Sequence, residues 1–104
     1  MRPIHLALID KTRPVLILTR AGARDRLANV TVAAITSTIK GISTEVPVGR
    51  LNGLDHESAV SCDNIQTIRV DQLGRLLGFL TDEQEAALAR AVVNAFDLQA
   101  EELD

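Results

Sequence analysis

The chain reads as mainly β with a C-terminal helix, an α+β arrangement. Two observations carry that expectation. Short runs of Val, Ile, Leu and Thr separated by polar or glycine-containing turns recur between residues 4 and 70, and a Thr81-Asp82-Glu83-Gln84 start signal precedes a stretch of helical periodicity. Several short strands at this spacing fit a small, strongly bent barrel or half-barrel.

Ile4, Leu6 and Leu8 alternate with His5, Ala7 and Ile9, which predicts a first strand with one strongly apolar face. Val15 to Leu18 form an unbroken apolar run, the pattern of a strand covered on both sides. Pro14 is tolerated at its beginning because no ladder donor is needed there. Residues 21–26 read as a polar loop, Asn29 to Thr36 as a third strand, residues 37–43 as a hairpin connection, and Thr44 to Val48 as a fourth strand. Two short strands follow, near Ser58 to Cys62 and Ile65 to Val70. Asp71 is placed to cap a short helix carrying Leu73, Leu76 and Leu77, with Gly78 as its left-handed stop. Thr81 and Gln84 fit a capping box, and Ala87, Leu88, Ala91, Val92, Ala95 and Phe96 then recur at intervals that require one buried helix face.

At 104 residues the chain is expected to form one domain over residues 1–104, with 46% hydrophobic residues to build a modest core. Phe79 and Phe96 are the only aromatic residues, so nucleic-acid binding by stacking bases on aromatic rings is nearly excluded. The net charge of −3 hides an asymmetry. Residues 1–50 hold eight basic groups against three acids (Asp10, Asp25, Glu45), whereas residues 51–104 hold three basic groups against eleven acids, among them Asp97, Glu101, Glu102 and Asp104. The halves carry +5 and −8, a split able to orient an anionic strand, although uneven charge is also common on ordinary surfaces.

Cys62 is the single cysteine, so no internal disulfide is expected, and no apolar stretch is long enough to span a membrane. The start lacks the pattern of a signal peptide, and the expected location is the cytoplasm. His5, His56 and Cys62 show no metal-ligand pair spacing, so neither a metal nor another cofactor is expected. Asp55, His56 and Ser58 supply triad residue types, but neighbours in one short loop rarely converge as a triad does.

Arg13-Pro14-Val15-Leu16-Ile17-Leu18, followed about twenty residues later by Val32-Ala33-Ala34-Ile35-Thr36-Ser37, resembles the MazF/PemK (Kid) family of bacterial toxins, and its actinobacterial branch most closely. The family's order continues through Glu45-Val46-Pro47-Val48, Gly53-Leu54 with Ser58-Ala59-Val60, and Asp63-Asn64-Ile65-Gln66-Thr67-Ile68. Typical members open with R-G-D-[IV]-[WY] and a long glycine-containing loop. Here Met1 to Ile9 run through Asp10-Lys11-Thr12 straight to Arg13, so Asp10 is only a candidate for the acidic loop residue of relatives.

The resemblance implies an SH3-like antiparallel barrel of the MazF/CcdB type, acting as a sequence-specific, single-strand-specific, metal-independent endoribonuclease in a type II toxin–antitoxin pair. It implies a homodimer, single-stranded RNA as substrate and an acidic, partly disordered antitoxin as partner. Arg13 and Thr36 are the implied catalytic pair. A guanidinium matches the non-bridging oxygens of a phosphodiester under attack by the neighbouring 2′-hydroxyl, and a threonine adds a neutral donor. Proton transfer is left open between Asp10 and His5. Thr12, Arg20, Ser37, Thr38, Asp63 and Asn64 are the implied RNA contacts, with Arg20 toward phosphate and the others toward splayed bases. Asp63 is equally suited to capping the next turn. Lys11 and Lys40 read as solvated loop charges. Two other readings keep the same fold: a CcdB-like gyrase poison, which has no need of Arg13 and Thr36, and a noncatalytic interaction module.

Overall fold

The computed structural model describes residues 1–24 and 26–99; the charges counted at Asp25, Glu101, Glu102 and Asp104 lie outside them. The described chain runs β1 (Pro3–Leu8), β2 (Thr12–Ile17), β3 (Asn29–Thr36), β4 (Glu45–Val48), β5 (Ser58–Arg69), β6 (Leu73–Phe79) and α1 (Asp82–Phe96). The strands make one six-stranded sheet in the order β4-β5-β3-β2-β1-β6, antiparallel throughout. The expected mainly β architecture with a C-terminal helix is therefore present.

β2 is covered on both sides, as its unbroken apolar run predicts. Leu16 packs with Ile4, Ala33, Val60 and the helix residues Leu88 and Ala91, while Val15 and Ile17 turn to a second cluster with Ala7, Val30, Val32 and Ile68. Truncating a fully buried leucine such as Leu16 to alanine costs about 2–5 kcal/mol. Pro14 is the third residue of β2, but β3 pairs with β2 only from Val15 onward, so the missing N–H interrupts none of that ladder.

Several readings are corrected. β1 does not bury one alternating face: Ile4 and Ala7 are buried, Leu6 is half-buried and Leu8 is 59% exposed. Its partner β6 carries register shifts between Ile4 and His5 and between His5 and Ala7, and past them it is Ala7, not Leu6 or Leu8, that enters a core cluster. The two strands expected at 58–62 and 65–70 are one twelve-residue strand, β5. A bulge nonetheless falls where the break was read, since Ala33 faces Ile65 while Ala34 faces Ser61, and Cys62 to Asn64 fill the gap.

Residues 71–77 are not a helix. Val70–Gln72 make one tight 3-10 turn, and Leu73–Phe79 is strand β6. The leucine spacing suits either state, but a two-turn helix is marginal alone, and pairing with β1 gives the segment backbone partners along one side. Gly78 is no left-handed stop either; positive φ among glycines occurs only at Gly41 and Gly53 of the described residues.

α1 starts at the expected capping box, with Thr81 Oγ1 accepting from the Gln84 N–H at 3.1 Å and Gln84 Oε1 from the Thr81 N–H at 3.0 Å. Leu88 and Ala91 are buried against β4 and β5, but Phe96, expected on that face, is 56% exposed. Phe96 instead lines an open apolar hollow with Leu18, Ile65 and Val92. Arg2 ties α1 to β2: its Nε donates to Glu85 at 2.7 Å and its Nη1 to the carbonyls of Ile17 at 3.0 Å and Leu18 at 2.9 Å.

The sheet curls until its two edges nearly meet. After β4, a short turn at Arg50–Asn52 brings Asn52 against β6, and its Nδ2 donates to the Phe79 carbonyl at 2.9 Å. Gly53, at φ 84°, and Gly78 let the two backbones touch: a Cβ on Gly53 would run into the Leu77 carbonyl, and one on Gly78 into that of Asn52. Gln84 locks this seam from the helix by a reciprocal amide pair with Asn52, donating at 3.0 Å and accepting at 2.6 Å. Asn52 is buried with its amide fully engaged.

Candidate active site

An open groove of about 660 Å³ lies beside this seam. β2 and β3 supply Arg13 and Thr36, the segment after Gly53 supplies Asp55 and His56, and β6 supplies Arg75. Two adjoining hollows of about 320 Å³ each extend it. One holds Asp10, Arg13, Thr36 and Asn64; the other holds Thr36, Thr38, Lys40, Asp63 and Asn64. Thr36 lines all three.

The turn between β1 and β2 explains how Asp10 reaches Arg13. Leu8 pairs with Thr12, so only Ile9, Asp10 and Lys11 make the connection. Asp10 Oδ1 accepts the Lys11 N–H at 2.9 Å, which fixes the carboxylate beside the strand it precedes. Arg13 then grips it with two prongs, Nε to Oδ1 at 3.1 Å and Nη2 to Oδ2 at 3.2 Å. These bonds from Arg13, with lesser help from backbone N–H groups, hold the Asp10 carboxyl below its ordinary range. The same hydrogen bond raises Arg13 further above its already high value. Both groups are exposed, so the pair serves orientation more than stability.

Thr36 ends β3, and its Oγ1 accepts the N–H of Thr38 at 3.0 Å. Among the described residues nothing accepts the hydroxyl proton, which leaves it available to a ligand. The loop beyond is held by Glu45, whose carboxylate accepts from the backbone of Lys40 at 3.1 Å and Gly41 at 2.8 Å. Asp63 and Asn64 stand on the β5 bulge, where Asp63 Oδ2 accepts the Thr44 hydroxyl at 2.6 Å. Burial, and then the nearby Asp63 charge, push the Cys62 thiol up.

The fold thus gathers Asp10, Thr12, Arg13, Thr36, Ser37, Thr38, Asp63 and Asn64 around one set of connected hollows. It does not bring His5 or Arg20 to them. His5 Nδ1 lies 3.0 Å from the Gly74 carbonyl, and Arg20 sits exposed beyond the opposite end of β2. Arg75 was hidden by the helical reading of its segment, though the glycines at 74 and 78 that flank it are poor helix residues and were the available signal. Asp55 and His56 had been weighed as triad members, and His56 also as a metal ligand, but neither as part of this groove.

A curled antiparallel sheet closed by one C-terminal helix, with a guanidinium and a free hydroxyl on the same groove, is the build of a small bacterial toxin. The chain belongs to the PemK-like, MazF-like toxins of type II toxin–antitoxin systems, whose family model matches residues 6–96. It is 62% identical over 98 residues, 94% of this chain and 95% of the relative, to endoribonuclease MazF3 of Mycobacterium tuberculosis. The structure of Mycobacterium tuberculosis toxin MazF-mt6 superposes with a TM-score of 0.92 at 61% identity, covering 94% of this chain and 99% of that one. A mycobacterial endoribonuclease in complex with its cognate antitoxin gives 0.80 at 28% identity, over 93% and 92% of the two chains.

Proposed function

We propose that this toxin is a sequence-specific, single-strand-specific endoribonuclease that needs no metal, with Arg13 and Thr36 as its catalytic pair. The observation that carries the reading is their shared groove, where Thr36 keeps its proton free and Arg13 is oriented by Asp10. Relatives named endoribonucleases at 62% and 35% identity support the reaction class.

The 2′-hydroxyl of one nucleotide attacks the adjacent phosphorus, and the bond to the 5′-oxygen breaks, leaving a 2′,3′-cyclic phosphate and a 5′-hydroxyl. Charge gathers on the non-bridging oxygens. The free Nη1 of Arg13 and the Thr36 hydroxyl are the donors aimed at them. Asp10 remains ionised and is the group beside Arg13 placed to take the 2′-hydroxyl proton, while the leaving 5′-oxygen, on the opposite side of phosphorus, takes its proton from water. Thr12, Ser37, Thr38 and Asn64 offer hydrogen bonds to splayed bases, and Asp63 offers the lone pairs that Thr44 leaves.

The toxin acts in the cytoplasm as a homodimer, with the groove open to RNA and blocked by an acidic antitoxin segment that orders as it binds. The structure of a mycobacterial relative with its cognate antitoxin supports the pairing. Incubation with a long unstructured RNA in EDTA tests the whole reading. Cleavage at one short motif with cyclic phosphate ends is expected, and substituting deoxyribose 5′ to the cut should abolish it. Intact RNA together with trapped gyrase–DNA complexes would make the protein a gyrase poison instead.

A further inference from the structure

We infer that Arg75 is a second phosphate-binding guanidinium of the groove, delivered by a β-bulge that His5 pins, and that it seats a backbone phosphate next to the one held by Arg13 and Thr36. The inference rests on the RNA-cleaving reading above.

Charge is the first argument. Arg13 is already paired with Asp10, and Asp55 adds a second carboxylate to the groove. Without another cation these three groups leave a net negative site, a poor seat for a polyanion. Arg75 is the one other arginine or lysine lining the 660 Å³ groove, and it has no hydrogen bond or ion pair among the described residues. Arg2, Arg13 and Arg69 are all engaged by carboxylates.

Backbone geometry is the second. His5 faces Leu76 and Ala7 faces Leu73, so Gly74 and Arg75 together oppose the single residue Leu6. An inserted residue of this kind re-aims its side chain relative to the regular pleat. His5 is bonded to the Gly74 carbonyl at 3.0 Å, and Gln72 Nε2 donates to the Leu8 carbonyl at 2.9 Å, which ties the bulge to β1 on both sides. His5 is therefore a positioning residue. A guanidinium held on a strand loses less freedom on meeting phosphate than a loop lysine such as Lys40.

The test uses the intact protein and a labelled single-stranded oligoribonucleotide carrying deoxyribose at the mapped cleavage position, so that it binds uncut. Arg75→Ala should weaken binding about tenfold or more, and the slope of log K against log salt should become shallower by about 0.7. Arg75→Lys should restore most of the slope. With cleavable RNA the loss should fall on KM more than on kcat. His5→Gln should weaken binding in the parent and add little to Arg75→Ala, a non-additivity that a merely structural histidine would not show. Unchanged affinity and salt slope in Arg75→Ala, while the parent still cuts RNA, overturn the inference and leave the nuclease reading standing. A fall in kcat with binding intact would place Arg75 at the scissile phosphate and also overturn it. A parent that cuts no RNA removes both.

Discussion

Thr36 and Thr38 are joined by a bond from the backbone N–H of the latter to the side-chain oxygen of the former, at 3.0 Å. The bond occupies one of the two acceptor sites of Thr36 and leaves its hydroxyl proton for whatever enters the groove. The contact that orients the side chain of this strand-end residue thus comes from the chain two positions on.

Thr36→Ala should lower kcat by about 10²–10³, the usual effect of losing one preorganised donor, and Thr36→Ser should recover much of it. Arg13→Lys should be nearly as damaging as Arg13→Ala, because an ammonium cannot hold Asp10 and phosphate through a planar fork. Single-turnover cleavage of a short RNA measures all four. Full activity in Thr36→Ala would remove the catalytic assignment.

Asp10 carries a pH prediction. Hydrogen bonds from Arg13 hold its folded pKa below the ordinary carboxylate value, so its charge persists where a free carboxylate titrates and is lost only as pH falls through the depressed value. Any stability gained from the pair follows the same sign, present above the unfolded value and lost below it. The kcat/KM profile between about pH 5 and 8 should therefore show no acid limb from Asp10, while Asp10→Asn should lower kcat by about 10² or more. Full kcat in Asp10→Asn would remove Asp10 from proton transfer.

The seam should be the fold's most sensitive polar contact. Asn52→Ala leaves the Gly49 N–H, the Phe79 carbonyl and the Gln84 amide short of partners, with an expected cost of about 2–4 kcal/mol in urea unfolding. Gly78→Ala should also destabilise, by about 2 kcal/mol or more, since the new methyl meets the Asn52 carbonyl. Both should reduce RNA cleavage in the residual folded fraction, because the segment after Gly53 is a wall of the groove.

Cys62 should be inert in the native state. Burial and the Asp63 charge raise its pKa above 9.0, so a thiol reagent at pH 8 should label it only on unfolding. Its sign is opposite to that of Asp10: the folded state holds the proton more tightly, so stability should decline as pH rises above the unfolded value. Rapid labelling of folded protein would contradict this.

Local pattern was a good guide where a single element decides its own state. The unbroken run of β2 does lie in a two-sided core, and the Thr81 capping box does begin α1. It misled at residues 71–79, where leucine spacing fits a helix until β1 offers an open edge. It also failed at Leu8 and Phe96, whose exposure is set by how the elements pack and not by local spacing.

By itself the sequence determined the class of fold, the family, and the nomination of Arg13 and Thr36, since each depends on residues close together along the chain. Only the tertiary structure decided that Asp10 grips Arg13, that Asn52 closes the curled sheet against Phe79, and that Arg75 enters the groove while His5 does not. Bulges and strand register set these relations. A shift of one residue in pairing redirects a side chain, and that shift is fixed by the sum of distant contacts, not by any local spacing.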